Sequence, residues 1–225
     1  MAASTTSIVD SPALAHLSPS DRAFVVEHGI GPRRPVTIPI VHHGIEYQVS
    51  QRPNAIAVEH LLFNHRLTYA QLDQQANRLA RRLRSAGVGP GQRVCILARR
   101  SIYLVVAIVA VLKSGAQYVP IDGVTVTDAT LKYILGDAKP KMALVMEEYV
   151  ERVEETIDMM CLEEVIEEDE KLGADDTKPE DLSSPTDGCY VIYTSGTTGT
   201  PKGVDVRHNG VTNGGHILFS LSPPY

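Results

Sequence analysis

The residues from Tyr193 to Val204 have the types and spacing of a loop built to hold an anion. Tyr193-Thr194-Ser195-Gly196-Thr197-Thr198-Gly199-Thr200-Pro201-Lys202-Gly203-Val204 carries three glycines, five Ser or Thr hydroxyls and one lysine, with no acidic residue. Glycine adopts positive φ and lets the backbone approach a ligand closely. Successive backbone N–H groups in such a loop form an anion nest. Ser and Thr hydroxyls add donors for phosphate oxygens, and Lys202 adds a mobile positive charge. The spacing excludes a Walker A loop, which needs four residues between its first glycine and a Gly-Lys-Ser/Thr ending. Here Thr200 and Pro201 separate Gly199 from Lys202, and Gly203 follows the lysine. The competing reading is a flexible Gly/Thr turn with a chance lysine.

Such a loop works only if regular elements hold it. The apolar run Cys189 to Tyr193 reads as the strand that feeds it. The clearest helix begins after Leu67-Thr68-Tyr69, where Thr68 is placed to cap and Gln71 to complete a capping box. Leu72, Ala76, Leu79, Ala80 and Leu83 recur at helical spacing and form one apolar stripe. Arg78, Arg81, Arg82 and Arg84 crowd its last turns, where they complement the helix dipole and read as a solvated face. Gly87 ends it. Strands are predicted near residues 55–59, 92–98, 117–121 and 141–145. Helices are predicted over 42–51, from a Ser101 cap to Lys113, and over 127–135 with Leu131, Ile134 and Leu135 inward. Alternating strands and helices predict an α/β fold with a mostly parallel sheet flanked by helices. A charged helix is expected from Glu147 to Met159, burying Val150, Val153 and Ile157, and an exposed polar loop from Asp169 to Asp187. Residues 1–41 are rich in Ser, Thr and Pro. A short helix capped at Ser18 is expected there through Val26, broken by Gly31 to Pro35, and the segment reads as a leader or interdomain linker.

Composition narrows the function classes. Hydrophobic residues make up 43% of the 225, enough for a packed core, and a net charge of −6 gives no sign of a nucleic-acid surface. The charge is uneven: residues 147–181 hold 16 acidic and three basic side chains. Such a block reads as a solvated face rather than a docking site for a basic partner. Cys95, Cys161 and Cys189 are scattered and odd in number, so neither a disulfide framework nor a zinc site is expected, and a reducing compartment fits. The N-terminus has no signal-peptide pattern. The longest apolar run, Ile102 to Leu112, is too short to span a bilayer and reads as core. No membrane contact is expected and the protein reads as cytoplasmic. Adjacent residues on a helix point apart, so His42-His43 is not expected to ligate a metal.

Three stretches in order carry a family resemblance. Leu67-Thr68-Tyr69-Ala70-Gln71-Leu72 resembles the first core motif of the adenylate-forming superfamily of AMP-dependent ligases. Leu112 to Asp122, reading Leu-Lys-Ser-Gly-Ala-Gln-Tyr-Val-Pro-Ile-Asp, resembles the second in the form typical of amino-acid-activating members. The Tyr193–Val204 loop resembles the family's phosphate-binding signature. The resemblance covers about residues 42–213 and is strongest to peptide-synthetase adenylation domains of fungal type. It implies the N-terminal part of the large subdomain of a two-step ligase of secondary metabolism. Such an enzyme activates a carboxylic acid, an amino acid in this subclass, with ATP and Mg²⁺, releases pyrophosphate, and passes the acyl-adenylate to a thiol such as a carrier-protein phosphopantetheine. By the same resemblance Thr194, Ser195, Gly196, Thr197, Thr198, Gly199 and Lys202 hold the β- and γ-phosphates, and Asp122 is structural. No complete catalytic set is expected, because family members are more than twice this length. Gly123 to Asp128 replaces the usual Pro- and Arg-containing turn, and residues 214–225 read as a divergent tail. The chain is therefore expected to be a truncated, poorly soluble product, inactive alone. The alternatives are a non-catalytic fragment that keeps only the phosphate loop, and a broken gene model.

Overall fold

The computed structural model describes residues 14–29, 36–195 and 199–221, with side chains up to residue 214. Two units divide the chain, residues 1–36 and 37–225. In the first, helix α1 (Pro19–His28) starts at Ser18, whose hydroxyl accepts the Asp21 N–H at 3.2 Å. The expected break at Gly31 to Pro35 lies outside the described residues.

The second unit is built on a six-stranded sheet. Helix α2 (Val41–Gln51) leads into a hairpin of β1 (Ile56–His60) and β2 (His65–Thr68). Then follow α3 (Tyr69–Ser85), β3 (Arg93–Ala98), α4 (Ile102–Lys113), β4 (Gln117–Asp122), α5 (Asp128–Ala138) and β5 (Met142–Val145). The chain closes with β6 (Met159–Cys161), α6 (Leu162–Leu172), β7 (Gly188–Thr194), β8 (Lys202–Arg207) and α7 (His208–Leu221). The sheet order is β6-β5-β3-β4-β7-β8, with every pair parallel except β7 with β8. A parallel sheet is covered on both faces, so its strands read as apolar runs. Along β3, Val94, Ile96 and Ala98 enter the core under α3, α4 and α6, while Cys95 and Leu97 enter the core under α5. The 102–112 run is the buried heart of α4. Among the described residues no helix is long and apolar enough to cross a membrane.

Local signals set the helix ends. Thr68 and Gln71 form the predicted capping box, with Oγ1 accepting the Gln71 N–H at 3.2 Å and Gln71 Oε1 accepting the Thr68 N–H at 2.9 Å. Thr68→Ala is expected to cost about 1 kcal/mol in urea denaturation, the usual value of a lost N-cap. A change under about 0.3 kcal/mol would mean that the remaining Gln71 contact holds the helix start alone.

Three expectations fail. No helix spans Glu147 to Met159: a short 3-10 helix (Glu147–Arg152) gives way to turns and then to strand β6. Val153 is buried as expected, but against the sheet as the chain bends toward β5. The polar loop begins later than expected, because α6 runs through Leu172. The arginine-rich end of α3 is not a bare solvated face, nor is the acidic block simply exposed, because each answers the other. Arg82 binds Asp169 at 2.6 Å and Glu168 at 2.8 Å. Arg78 binds Asp176 at 3.3 Å and donates to the Ala174 carbonyl. Arg81 donates to the Thr177 carbonyl, and Arg84 to that of Glu180. Exposed pairs of this kind add little stability. Arg82–Asp169 differs, because the Asp169 side chain is only 5% exposed.

Candidate phosphate-loop site

The loop sits at the tip of the β7–β8 hairpin. Thr194 and Lys202 are paired across its mouth, one register step beyond Tyr193 and Gly203. Ser195, Gly199, Thr200 and Lys202 are exposed. Gly199 takes φ +81°, and a Cβ there would meet open space. Glycine is therefore needed at 199 for conformation, not for room. Gly196, Thr197 and Thr198 lie outside the described residues. Among the described residues Lys202 makes no ion pair, so its charge is available to a ligand.

Polar contacts that the sequence did not signal anchor the hairpin. Tyr193 donates its hydroxyl to Asp137 on α5 at 2.6 Å. Burial and that carboxylate push the phenol well above its usual range, so Tyr193 serves as a donor and not as a base. A Cβ at Gly203 would come within 3.0 Å of the Tyr193 ring, so the glycine admits the tyrosine. Gln117 on β4 donates to the Tyr190 carbonyl at 3.3 Å and to Asp205 on β8 at 2.8 Å. Arg93 donates to the Gln117 amide oxygen and lies 3.8 Å from Asp205. A side chain at Gly188 would clash with Gln117 at 2.4 Å. Only the geometry identifies Gln117, Arg93 and Tyr193 as positioning residues.

Beside the loop root is a crevice of about 530 Å³ lined by Ala98, Arg100, Asp122, Thr127, Ile192 and Tyr193, among others. It lies at the carboxyl ends of β3, β4 and β7. The helices that follow β3 and β4 leave on opposite faces of the sheet, and open α/β sheets bind ligands at such a switch point. All three cysteines are buried and free. Burial pushes Cys95 and Cys189 up to about 12, so neither offers a thiolate. The described loop residues suit a polyphosphate: open glycine backbone, hydroxyls and one cation. They contain no carboxylate, so they do not suit a protein-held Mg²⁺, which is an oxygen-seeking ion.

A family model described as AMP-binding enzyme matches residues 45–221. The chain belongs to this AMP-binding, adenylate-forming family. Adenylate-forming reductase 06235 of Coprinopsis cinerea is 44% identical over 95% of the chain and 20% of its own length. Gramicidin S synthase 1 of Brevibacillus brevis is 40% identical over 77% of the chain and 15% of its own length. Among solved structures, the nonribosomal peptide synthetase FmoA3 bound to α-methyl-L-serine-AMP matches with TM-score 0.77 and 26% identity. That match covers 91% of the chain and 22% of the synthetase. A fatty acyl-adenylate ligase from L. pneumophila, in complex with acyl adenylate and pyrophosphate, matches with TM-score 0.69 and 25% identity over 82% of the chain and 33% of its own. The predicted fold class stands: this is the N-terminal, mostly parallel α/β portion of an adenylate-forming enzyme. The chain spans about a fifth or less of the length of these curated relatives.

Proposed function

We propose that the chain supplies the polyphosphate-holding part of an enzyme that activates a carboxylic acid with ATP. The supporting observation is the hairpin mouth where Thr194 and Lys202 face each other under a glycine-rich loop free of carboxylates. In this reading a carboxylate oxygen attacks the α-phosphorus, and the bond from that phosphorus to the β-phosphate bridging oxygen breaks. Acyl-adenylate and pyrophosphate result. Phosphoryl transfer of this kind rests on positioning and charge stabilisation. Loop N–H groups and the hydroxyls of Thr194, Ser195, Thr197 and Thr198 orient the β- and γ-phosphates, and glycine at 196 and 199 gives the backbone the conformational freedom to aim those N–H groups. Lys202 offsets the charge that grows on the departing pyrophosphate. Mg²⁺ arriving with the nucleotide would spread that charge further.

The acid is read as an amino acid, and the acyl acceptor as a thiol such as a carrier-protein phosphopantetheine, on the strength of the peptide-synthetase relatives. A cytoplasmic role in secondary metabolism belongs to the same reading. A second reading, in which the activated acid is reduced, is favoured by the wider match to adenylate-forming reductases, 95% against 77% of the chain.

The test is binding of ATP and of inorganic tripolyphosphate to the purified chain, alongside ATP–pyrophosphate exchange with pooled amino acids and pooled aryl or fatty acids. Lys202→Ala is expected to weaken tripolyphosphate binding about tenfold, the loss of one charge-assisted contact. Equal binding by wild type and variant would sink the assignment. Exchange with amino acids supports an amino-acid substrate, and exchange with other acids alone would sink it.

A further inference from the structure

His42 and His43, at the start of α2, meet Asp181 from a segment almost 140 residues later in the chain. One ligand atom from each lies within 4.8 Å of the others. His42 Nε2 is 3.6 Å from Asp181 Oδ1, and His43 Nε2 is 2.5 Å from Asp181 Oδ2. The expectation that adjacent histidines point apart fails here. The two rings stand edge to face with centroids 4.9 Å apart, and both present Nε2 to the same carboxylate. The reason is the position of the pair in the first turn of α2, with the 178–187 segment folded across it.

We propose that His42, His43 and Asp181 form a binding site for a single first-row transition-metal dication, with Zn²⁺ the best match. Two imidazole nitrogens and one carboxylate oxygen suit Zn²⁺, Co²⁺, Ni²⁺ or Cu²⁺ better than Mg²⁺ or Ca²⁺, which prefer all-oxygen shells. Bonds of about 2.0–2.1 Å in a tetrahedral shell put neighbouring ligand atoms ~3.3 Å apart. The His42–Asp181 separation of 3.6 Å is already close to that. The His43 contact is to the other oxygen, Oδ2, so the carboxylate must turn to offer one oxygen to a shared ion. Both of those side chains are about 30% exposed and free to shift, while His42 is buried and fixed. His43 must present Nε2 without a proton, so its N–H sits on Nδ1 when the metal is bound. Solvent reaches the open side, so water completes the shell. Among the described residues His42 Nδ1 has no hydrogen-bond partner, so the site shows no second-shell acceptor there and should bind less tightly than a structural zinc centre. A bound ion would tie the start of α2 to the segment that leads into β7. The inference is independent of the proposed nucleotide chemistry.

The experiment titrates the metal-stripped full chain with Co²⁺, whose visible absorption reports four-coordination, and then displaces it with Zn²⁺. One equivalent is expected to give the tetrahedral band, which Zn²⁺ bleaches. His43→Ala and Asp181→Asn, both at part-exposed positions, are expected to weaken binding at least tenfold and remove the band. His42 is too buried to serve as the first variant. Absence of the band in wild type, or binding by both variants as tight as wild type, would overturn the site and leave a simple His43–Asp181 hydrogen bond.

Discussion

Lys113→Ala is expected to destabilise the 37–225 unit by about 3–5 kcal/mol, the usual cost of removing one partner from a buried ion pair. Lys113 ends α4, and its side chain is 1% exposed. Its Nζ lies 3.0 Å from Glu46 of α2 and 2.9 Å from Asp73 of α3. The approach to Asp73 is close in distance but off-line for a hydrogen bond, so Glu46 is the better-bonded partner. Burial alone would raise the Glu46 carboxyl, yet hydrogen bonds from Lys178 and Lys113 hold it below its usual range. Removing Lys113 leaves Asp73 with Asn77 and Glu46 with Lys178, both weaker arrangements for a desolvated charge. The expected loss is a large share of a typical domain stability of about 5–15 kcal/mol. Urea denaturation of Lys113→Ala and Lys113→Met measures it. Methionine fills the space without the charge, so near-wild-type stability in Lys113→Met would show that packing, and not the ion cluster, joins α2, α3 and α4. Salt should change the effect little, because buried pairs are weakly screened.

Acid is expected to weaken the same region before it reaches the carboxylates. Burial pushes the His42 imidazole down to about 4, and burial also lowers His208. Glu46 and Asp181 pull His42 upward, while His43 and Lys113 push it further down, and burial outweighs them all. His208 stands beside His42 with ring centroids 6.1 Å apart, accepts the Val41 N–H at 3.3 Å, and feels Asp187, His43 and Asp181. In the unfolded chain a histidine titrates near 6.5. Between about pH 6.5 and 4 the unfolded state therefore holds a proton that folded His42 does not, so stability rises with pH across that window. It is complete above the unfolded value and lost on acidification, at up to about 1.4 kcal/mol per pH unit for one group. Glu46 and Asp181, whose folded values are lowered, lose their contributions only below the ordinary carboxylate range. Denaturation midpoints in EDTA from pH 7.5 to 4 measure the slope. His42→Gln should flatten it, and an unchanged slope would assign the titration to another group.

The sequence by itself determined much of this protein. The capping box at Thr68, the apolar stripe of α3 and the strand that feeds the loop are local, so neighbouring residues suffice to specify them. The loop proposed to hold phosphate was nominated in the same way, because its glycines, hydroxyls and lysine are contiguous in the chain. The 147–172 segment was misread because charge masked its period: a three-residue strand and an acidic helix are held by packing on β5 and α3 rather than by their own pattern. β8 went unread because Lys202 to Arg207 is almost wholly exposed, shows no buried apolar alternation, and becomes a strand only by pairing with β7. Tertiary structure alone decided which charges meet. The arginines of α3 and the acidic block lie about 90 residues apart, and Lys113 meets Glu46 and Asp73 only where three helices converge. His42 and Asp181 are 139 positions apart in the chain. Electrostatic and metal-ligand contacts depend on distances of a few ångströms between side chains, and chain order does not encode them until the sheet has fixed where each helix ends.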